Sequence, residues 1–130
     1  MNIEIEHSFY TPELLRSNPD KIYVFGDNLV RKGKGGQAII RDEPNAFGIA
    51  TKRLPSMRED AFFSDQDDEM QAVTEDLRKL WKLGQTHVIV FPASGIGTGL
   101  AKMEKKSFAI WSKMCWILKD YFGYVNGEPK

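Results

Sequence analysis

The sequence predicts an α/β fold, a mostly parallel or mixed sheet flanked by helices. Three observations carry this reading. Two short runs, Ile22-Tyr23-Val24-Phe25 and Val88-Ile89-Val90-Phe91, are apolar throughout, as strands covered on both faces are. Longer segments with apolar residues at helical spacing lie between and after them. Each apolar run also empties into glycine and polar residues, Gly26-Asp27-Asn28 in one case and Ser94 to Leu100 in the other. Strand-then-helix alternation gives layered α/β domains, and their ligands sit beyond the carboxyl ends of the strands.

Taken in order, Ile3 and Ile5 alternate with Glu4 and Glu6, which predicts a first strand at a sheet edge. Thr11-Pro12-Glu13 is a helix start, with Thr as cap, Pro in the first turn and Glu at the positive end. Leu14 and Leu15 supply its buried face, and Asn18-Pro19 ends it. Ile22 to Phe25 is the second strand, central because it is apolar on both faces. Asp27-Asn28 after it reads equally as an Asx turn or as a ligand contact. Arg31-Lys32-Gly33-Lys34-Gly35-Gly36 is flexible and basic, and Gln37 to Arg41 reads as a short helix. A helix start beside basic residues attracts phosphate or carboxylate; the competing reading is a solvated charged loop. Phe47 to Arg53 is a third strand ending in cations.

Residues Leu54 to Gln66 are irregular, and Phe62-Phe63 there either stack on a base or fold onto the core. Ser64 or Asp65 is expected to cap the next helix, with Asp67, Asp68 and Glu69 at its positive end. Its stripe is Met70, Val73, Leu77, Leu80 and Trp81, and Gly84 stops it. The acidic cluster is helix electrostatics and not a metal site; no metal and no cofactor is expected. His87 opens the fourth strand, far from its carboxyl end, and reads as structural. A last helix, Glu104 to Phe122, is apolar on much of its circumference, wedged against the sheet or against a partner subunit. Residues 1–125 are expected to form one domain, and 126–130 a polar, disordered tail.

Composition narrows the class. The chain has 130 residues, 42% hydrophobic and 28% charged, which suits one soluble domain. Its 18 basic and 18 acidic residues cancel, which argues against duplex nucleic acid as partner. A single cysteine, Cys115, cannot close an internal disulfide, so a reducing, cytoplasmic location is expected. Cys115 itself reads as a small buried apolar residue. No signal-peptide pattern and no run of about 18 apolar residues is present, so no membrane role is expected.

The loop Ser94-Gly95-Ile96-Gly97-Thr98-Gly99-Leu100 has glycine at every second position. Such a loop between strand and helix offers backbone N–H groups to an anion, or is merely a tight connection. It lacks the dinucleotide-binding spacing, and Gly26 and Gly33, with six residues between them instead of four, do not make a triphosphate P-loop. In an α/β fold, Asp27, Asn28, the segment Gly33, Gly35, Gly36 and Gln37, Thr51, Lys52, and Ser94 to Leu100 would meet in one crevice. Glycine loops, a cation and a carboxylate together suit a phosphate-rich, sugar-bearing ligand.

The order of these signals is similar to macrodomains, the ADP-ribose-binding modules. It most resembles the branch that includes terminal ADP-ribose protein glycohydrolase, and small phage and bacterial macrodomain-like families. The residues that carry the resemblance are Gly33-Lys34-Gly35-Gly36-Gln37-Ala38, Ile49-Ala50-Thr51-Lys52 and Ile96-Gly97-Thr98-Gly99-Leu100, within a match from Ile22 to Phe122. The resemblance implies a compact, macrodomain-like mixed sheet. It implies that amides of Gly97, Thr98, Gly99 and Leu100 hold a diphosphate and that Gly33, Gly35 and Gly36 line the distal ribose. It implies that Lys52 attacks the ribose anomeric carbon in a hydrolase. The partner would then be ADP-ribose, a related nucleotide or an ADP-ribosylated macromolecule. The branch has a catalytic aspartate after Ile-Gly-x-Gly-Leu; this chain has Ala101 and then Lys102, with Glu104 or Asp27 as substitutes. Losing a general acid/base costs about 10²–10⁴-fold, so binding is expected ahead of hydrolysis. The alternative is an interaction protein with a vestigial cleft and an assembling last helix.

Overall fold

The structure, a computed structural model, describes residues 1–127. Residues 128–130 of the expected tail lie outside them. The elements run β1 (Ile3–Glu6), α1 (Pro12–Arg16), β2 (Lys21–Asn28), β3 (Ala46–Lys52), α2 (Asp67–Leu83), β4 (Val88–Pro92), α3 (Met103–Lys106) and α4 (Phe108–Phe122). Single 3₁₀ turns occupy Gly36–Ile40 and Glu59–Ala61. The α/β class read from the sequence is the one observed. The sheet order is β1-β4-β2-β3, and every strand pair in it is parallel.

Strand periodicity divides the core between the two faces. Ile22 and Val24 of β2, with Ile49, Ile89 and Phe91, pack against Val73, Leu77 and Leu80 of α2 and Ile110, Met114 and Leu118 of α4. Tyr23 and Phe25 point the other way, with Val90, onto Leu15 of α1 and Ala38 and Ile40 of the 3₁₀ turn. Burying each such large side chain contributes about 1.5–3 kcal/mol. β2 is central and β1 lies at an edge, as their patterns predict.

The helix starts follow local chemistry, with one exchange of roles. Thr11 Oγ1 accepts from Leu14 N at 3.1 Å and caps α1. The residue before α2 is Gln66, and neither Ser64 nor Asp65 caps that helix. The Glu69 carboxylate turns back instead, accepting from Ser64 N at 2.8 Å and Gln66 N at 3.0 Å. Asp65 adopts a left-handed backbone, φ 59°. Its carboxylate reaches the start of α4, accepting from Ser107 Oγ at 2.7 Å, Ile110 N at 3.0 Å and Ala109 N at 3.3 Å.

The expected last helix is broken at Ser107 into α3 and α4. Its apolar residues do not all bury. Ile110, Met114, Leu118 and Phe122 do, whereas Phe108, Trp116 and Tyr121 are exposed. Trp81 likewise turns to solvent, off the α2 stripe. Phe62 and Phe63 fold onto the core and present no free stacking face. Cys115 is half-buried, not fully so. His87 is exposed at the base of β4.

Candidate functional site

Parallel strands end on the same side, so β2, β3 and β4 deliver Asp27-Asn28, Thr51-Lys52 and the 93–101 loop to one edge of the sheet. A cleft of about 480 Å³ opens there. It is lined by Asn28 at the end of β2, by Gly33, Gly35 and Gly36 from the first glycine loop, and by Gly95, Gly97, Gly99 and Leu100 from the second. Lys52 and Thr51 line it between them. Pro55, Ser56 and Met57 form one wall.

The loop after β4 is held from behind and left open in front. Ile96 is fully buried, and its N–H and C=O bond to Asn126 Oδ1 and Nδ2 at 2.7 and 2.9 Å. Asn126, expected in a disordered tail, is thus a clamp. Tyr124 Oη donates to Pro92 O at 2.6 Å on the same side. Burial pushes the Tyr124 phenol up to about 12. Gly97 has φ 77°, and a Cβ there would run into Met103 Sδ, so only glycine fits the turn. Met103 N donates to Gly97 O at 3.1 Å and Lys102 N to Gly99 O at 3.2 Å, which closes the loop. Among the described residues, the N–H groups of Gly97, Thr98, Gly99, Leu100 and Ala101 find no protein acceptor. The same holds for Gly33, Gly35, Gly36 and Gln37. Backbone donors left unpaired at a cleft are an anion's natural partners.

Gln37 ties the two loops to β2. Its Oε1 accepts from Gly26 N at 2.9 Å, and its Nε2 donates to Gly95 O at 3.0 Å and Ser94 Oγ at 3.3 Å. The side chain expected at a ligand is therefore a strut. Ser94, Ile96 and Thr98 are the expected site residues that do not line the cleft. Thr98 Oγ1 turns back to Ser94 O at 2.7 Å.

Asp27 lines the cleft, yet its carboxylate is fully engaged. Arg41 approaches at 2.5 and 3.1 Å, Arg31 at 3.5 Å and Asn28 N at 2.8 Å. Gly48 makes room for it, because a Cβ on Gly48 would overlap the Asp27 side chain. Arg41 also donates to Gly33 O at 2.7 Å and so fixes the first glycine loop. Asn28 spends its amide on Lys32 O at 2.8 Å. Asp27 is the one carboxylate among the lining residues, against Lys32, Arg41 and Lys52, so the cleft is cationic. Arg41 was legible only indirectly: a buried aspartate in a central strand demands a cation from somewhere.

Lys52 ends β3, half-buried. Its Nζ donates to Ser56 O, lies 3.6 Å from Met57 Sδ and sits 4.8 Å from the Phe62 ring centre. Burial, and then the nearby Lys102, hold its pKa below the ordinary lysine value. A lysine so placed reaches the neutral, nucleophilic amine more readily. Ala101 lines the cleft, whereas Glu104, an exposed residue of α3, does not.

Fold and site together define a parallel α/β protein with a cationic, amide-lined cleft at the carboxyl edge of its sheet. The chain belongs to a family of unknown function, DUF7831, whose model matches residues 5–116. No curated protein and no solved structure matches it. No described helix is long and apolar enough to cross a membrane, and no described cluster of His, Cys, Asp and Glu could hold a metal ion.

Proposed function

We propose that the cleft binds ADP-ribose or a related NAD-derived nucleotide. The observation that carries this is the set of unpaired N–H groups of Gly97, Gly99, Leu100 and Ala101, residues that line the same cleft as Lys52 and the first glycine loop. A diphosphate satisfies several of those donors at once, and its charge is balanced by the cationic lining. Leu100, Met57 and Pro55 give the ribose or base apolar surface. The volume falls within the roughly 300–1,000 Å³ of small-molecule sites. Calorimetry with ADP-ribose tests the reading. Sub-millimolar binding, better than about −4 kcal/mol, is expected for the wild type, with loss in Gly97→Ala. No heat and no thermal shift at millimolar ligand would refute it.

The environment of Lys52 favours a second reading, an ADP-ribosyl hydrolase. Its neutral amine would attack the anomeric carbon as the bond to the acceptor group breaks, its proton would pass through solvent to the departing acceptor, and water would then cleave the lysine–ribose adduct and restore the amine. What argues for slow turnover is the absence of a free carboxylate among the lining residues: Ala101 has none, and both oxygens of Asp27 are taken by arginines. Incubating ADP-ribosylated protein or nucleic acid with wild type and Lys52→Ala decides it. Release that depends on Lys52 supports the hydrolase; equal release by both proteins removes the lysine from the chemistry.

A further inference from the structure

Lys52 is one of three lysines gathered around a single ring. The Phe62 ring centre lies 4.8 Å from Lys52 Nζ, 5.0 Å from Lys106 Nζ and 6.0 Å from Lys102 Nζ. Lys106 is neutralised by Glu59, whose two oxygens lie 3.0 Å from its Nζ. The adjacent Arg53 is likewise paired, with Asp68 and Glu69. Among the described residues no carboxylate pairs with Lys52 or Lys102.

The fold holds these two cations in place at a cost. Lys52 bridges backbone to backbone with Phe62, a residue only 5% exposed. Lys102 is held with φ 48°, a left-handed conformation that costs a non-glycine residue about 1–2 kcal/mol. Hydrogen bonds fix it there: Lys102 N to Gly99 O at 3.2 Å, and Lys105 N and Lys106 N to Lys102 O at 3.2 and 2.9 Å. Lys102 therefore leaves the second glycine loop directly after Ala101, which lines the cleft, and carries its ammonium toward the ring shared with Lys52. The ring face offsets part of the repulsion that Lys102 exerts on Lys52, and no carboxylate among the described residues offsets the rest.

We propose that Lys52 and Lys102, beside Phe62, form an anion subsite at the rim of the cleft that takes a phosphoryl group, separate from the backbone amides of the glycine loops. A ligand using both carries one phosphate beyond those the loops hold, as a monoester or as the diester of a nucleic-acid strand. The subsite does not depend on which nucleotide the loops accept.

The test is NMR of the ¹⁵N-labelled protein with ¹³C-methylated lysines, titrated in turn with inorganic phosphate, ribose 5-phosphate, a short single-stranded oligonucleotide and ADP-ribose. The Lys52 and Lys102 signals are expected to move together and saturate in the millimolar range. Lys102→Gln should weaken phosphate about tenfold, the loss of one charged hydrogen bond. The preferred arm, monoester or oligonucleotide, assigns the source of the phosphoryl group. Shifts shared by all surface lysines, or confined to the loop amides, would overturn the subsite. Phosphate binding at the two lysines with no response to ADP-ribose would leave the subsite standing and remove the nucleotide reading.

Discussion

Lys52 and Asn126 show how much of this site rests on single side chains. The Lys52 ammonium is disfavoured in the folded chain, by burial first and by Lys102 second. Its folded pKa is therefore below its unfolded one, and between the two values the unfolded chain binds more protons. The Lys52 contribution to stability therefore rises with pH from the lowered value up to about 10.4. The difference in denaturation midpoint between wild type and Lys52→Gln should move in favour of wild type as pH rises through that window; a difference that does not change with pH would contradict the assignment. Asn126 acts from behind the cleft, where its amide makes both backbone bonds of Ile96. Asn126→Ala removes two buried-side hydrogen bonds, costing about 1–3 kcal/mol. Amide exchange in 95–100 should accelerate while the strands stay protected; unchanged exchange would show that the loop needs no clamp.

At the scale of elements, α4 depends on a cap that comes from far along the chain. Burial acts to raise the Asp65 carboxyl, but the bonds from Ser107, Ile110 and Ala109 outweigh it and leave it below the usual carboxylate range. The cap is therefore complete above about pH 3.9 and is lost as pH falls through the lowered value. Asp65→Ala should cost about 1 kcal/mol and lower the melting temperature, with most of it restored by Asn, which tolerates φ 59°. Equal stability of all three proteins at neutral pH would refute the cap. This element also marks where sequence reading failed. Asp65 stands where a cap of α2 belongs, and no local pattern says that its carboxylate turns to a helix more than forty residues on. The break at Ser107 was hidden for a related reason, since α3 is too short to show its own period. The strands were legible because an unbroken apolar run of four residues has few other uses.

Over the whole molecule, parallel pairing does most of the work of building the site. It brings Asn28, Lys52 and the loop from Gly95 to Leu100 to one edge, as the order of motifs predicts. What the sequence could not show is the division of labour inside the cleft. Asp27, Asn28 and Gln37 look like ligand contacts in one dimension; in three they are spent on Arg41, Lys32 and the loop backbone. Tertiary partners decide whether a polar side chain is free, and those partners lie outside any local window. The free groups are the backbone amides, which no residue type announces. They are also what the proposal depends on, and they can be watched one by one. In a ¹H–¹⁵N titration with ADP-ribose, the amides of Gly97 to Ala101 and Gly33 to Gln37 should shift together and saturate. No shift at millimolar ligand, or shifts confined to other parts of the chain, would contradict the account.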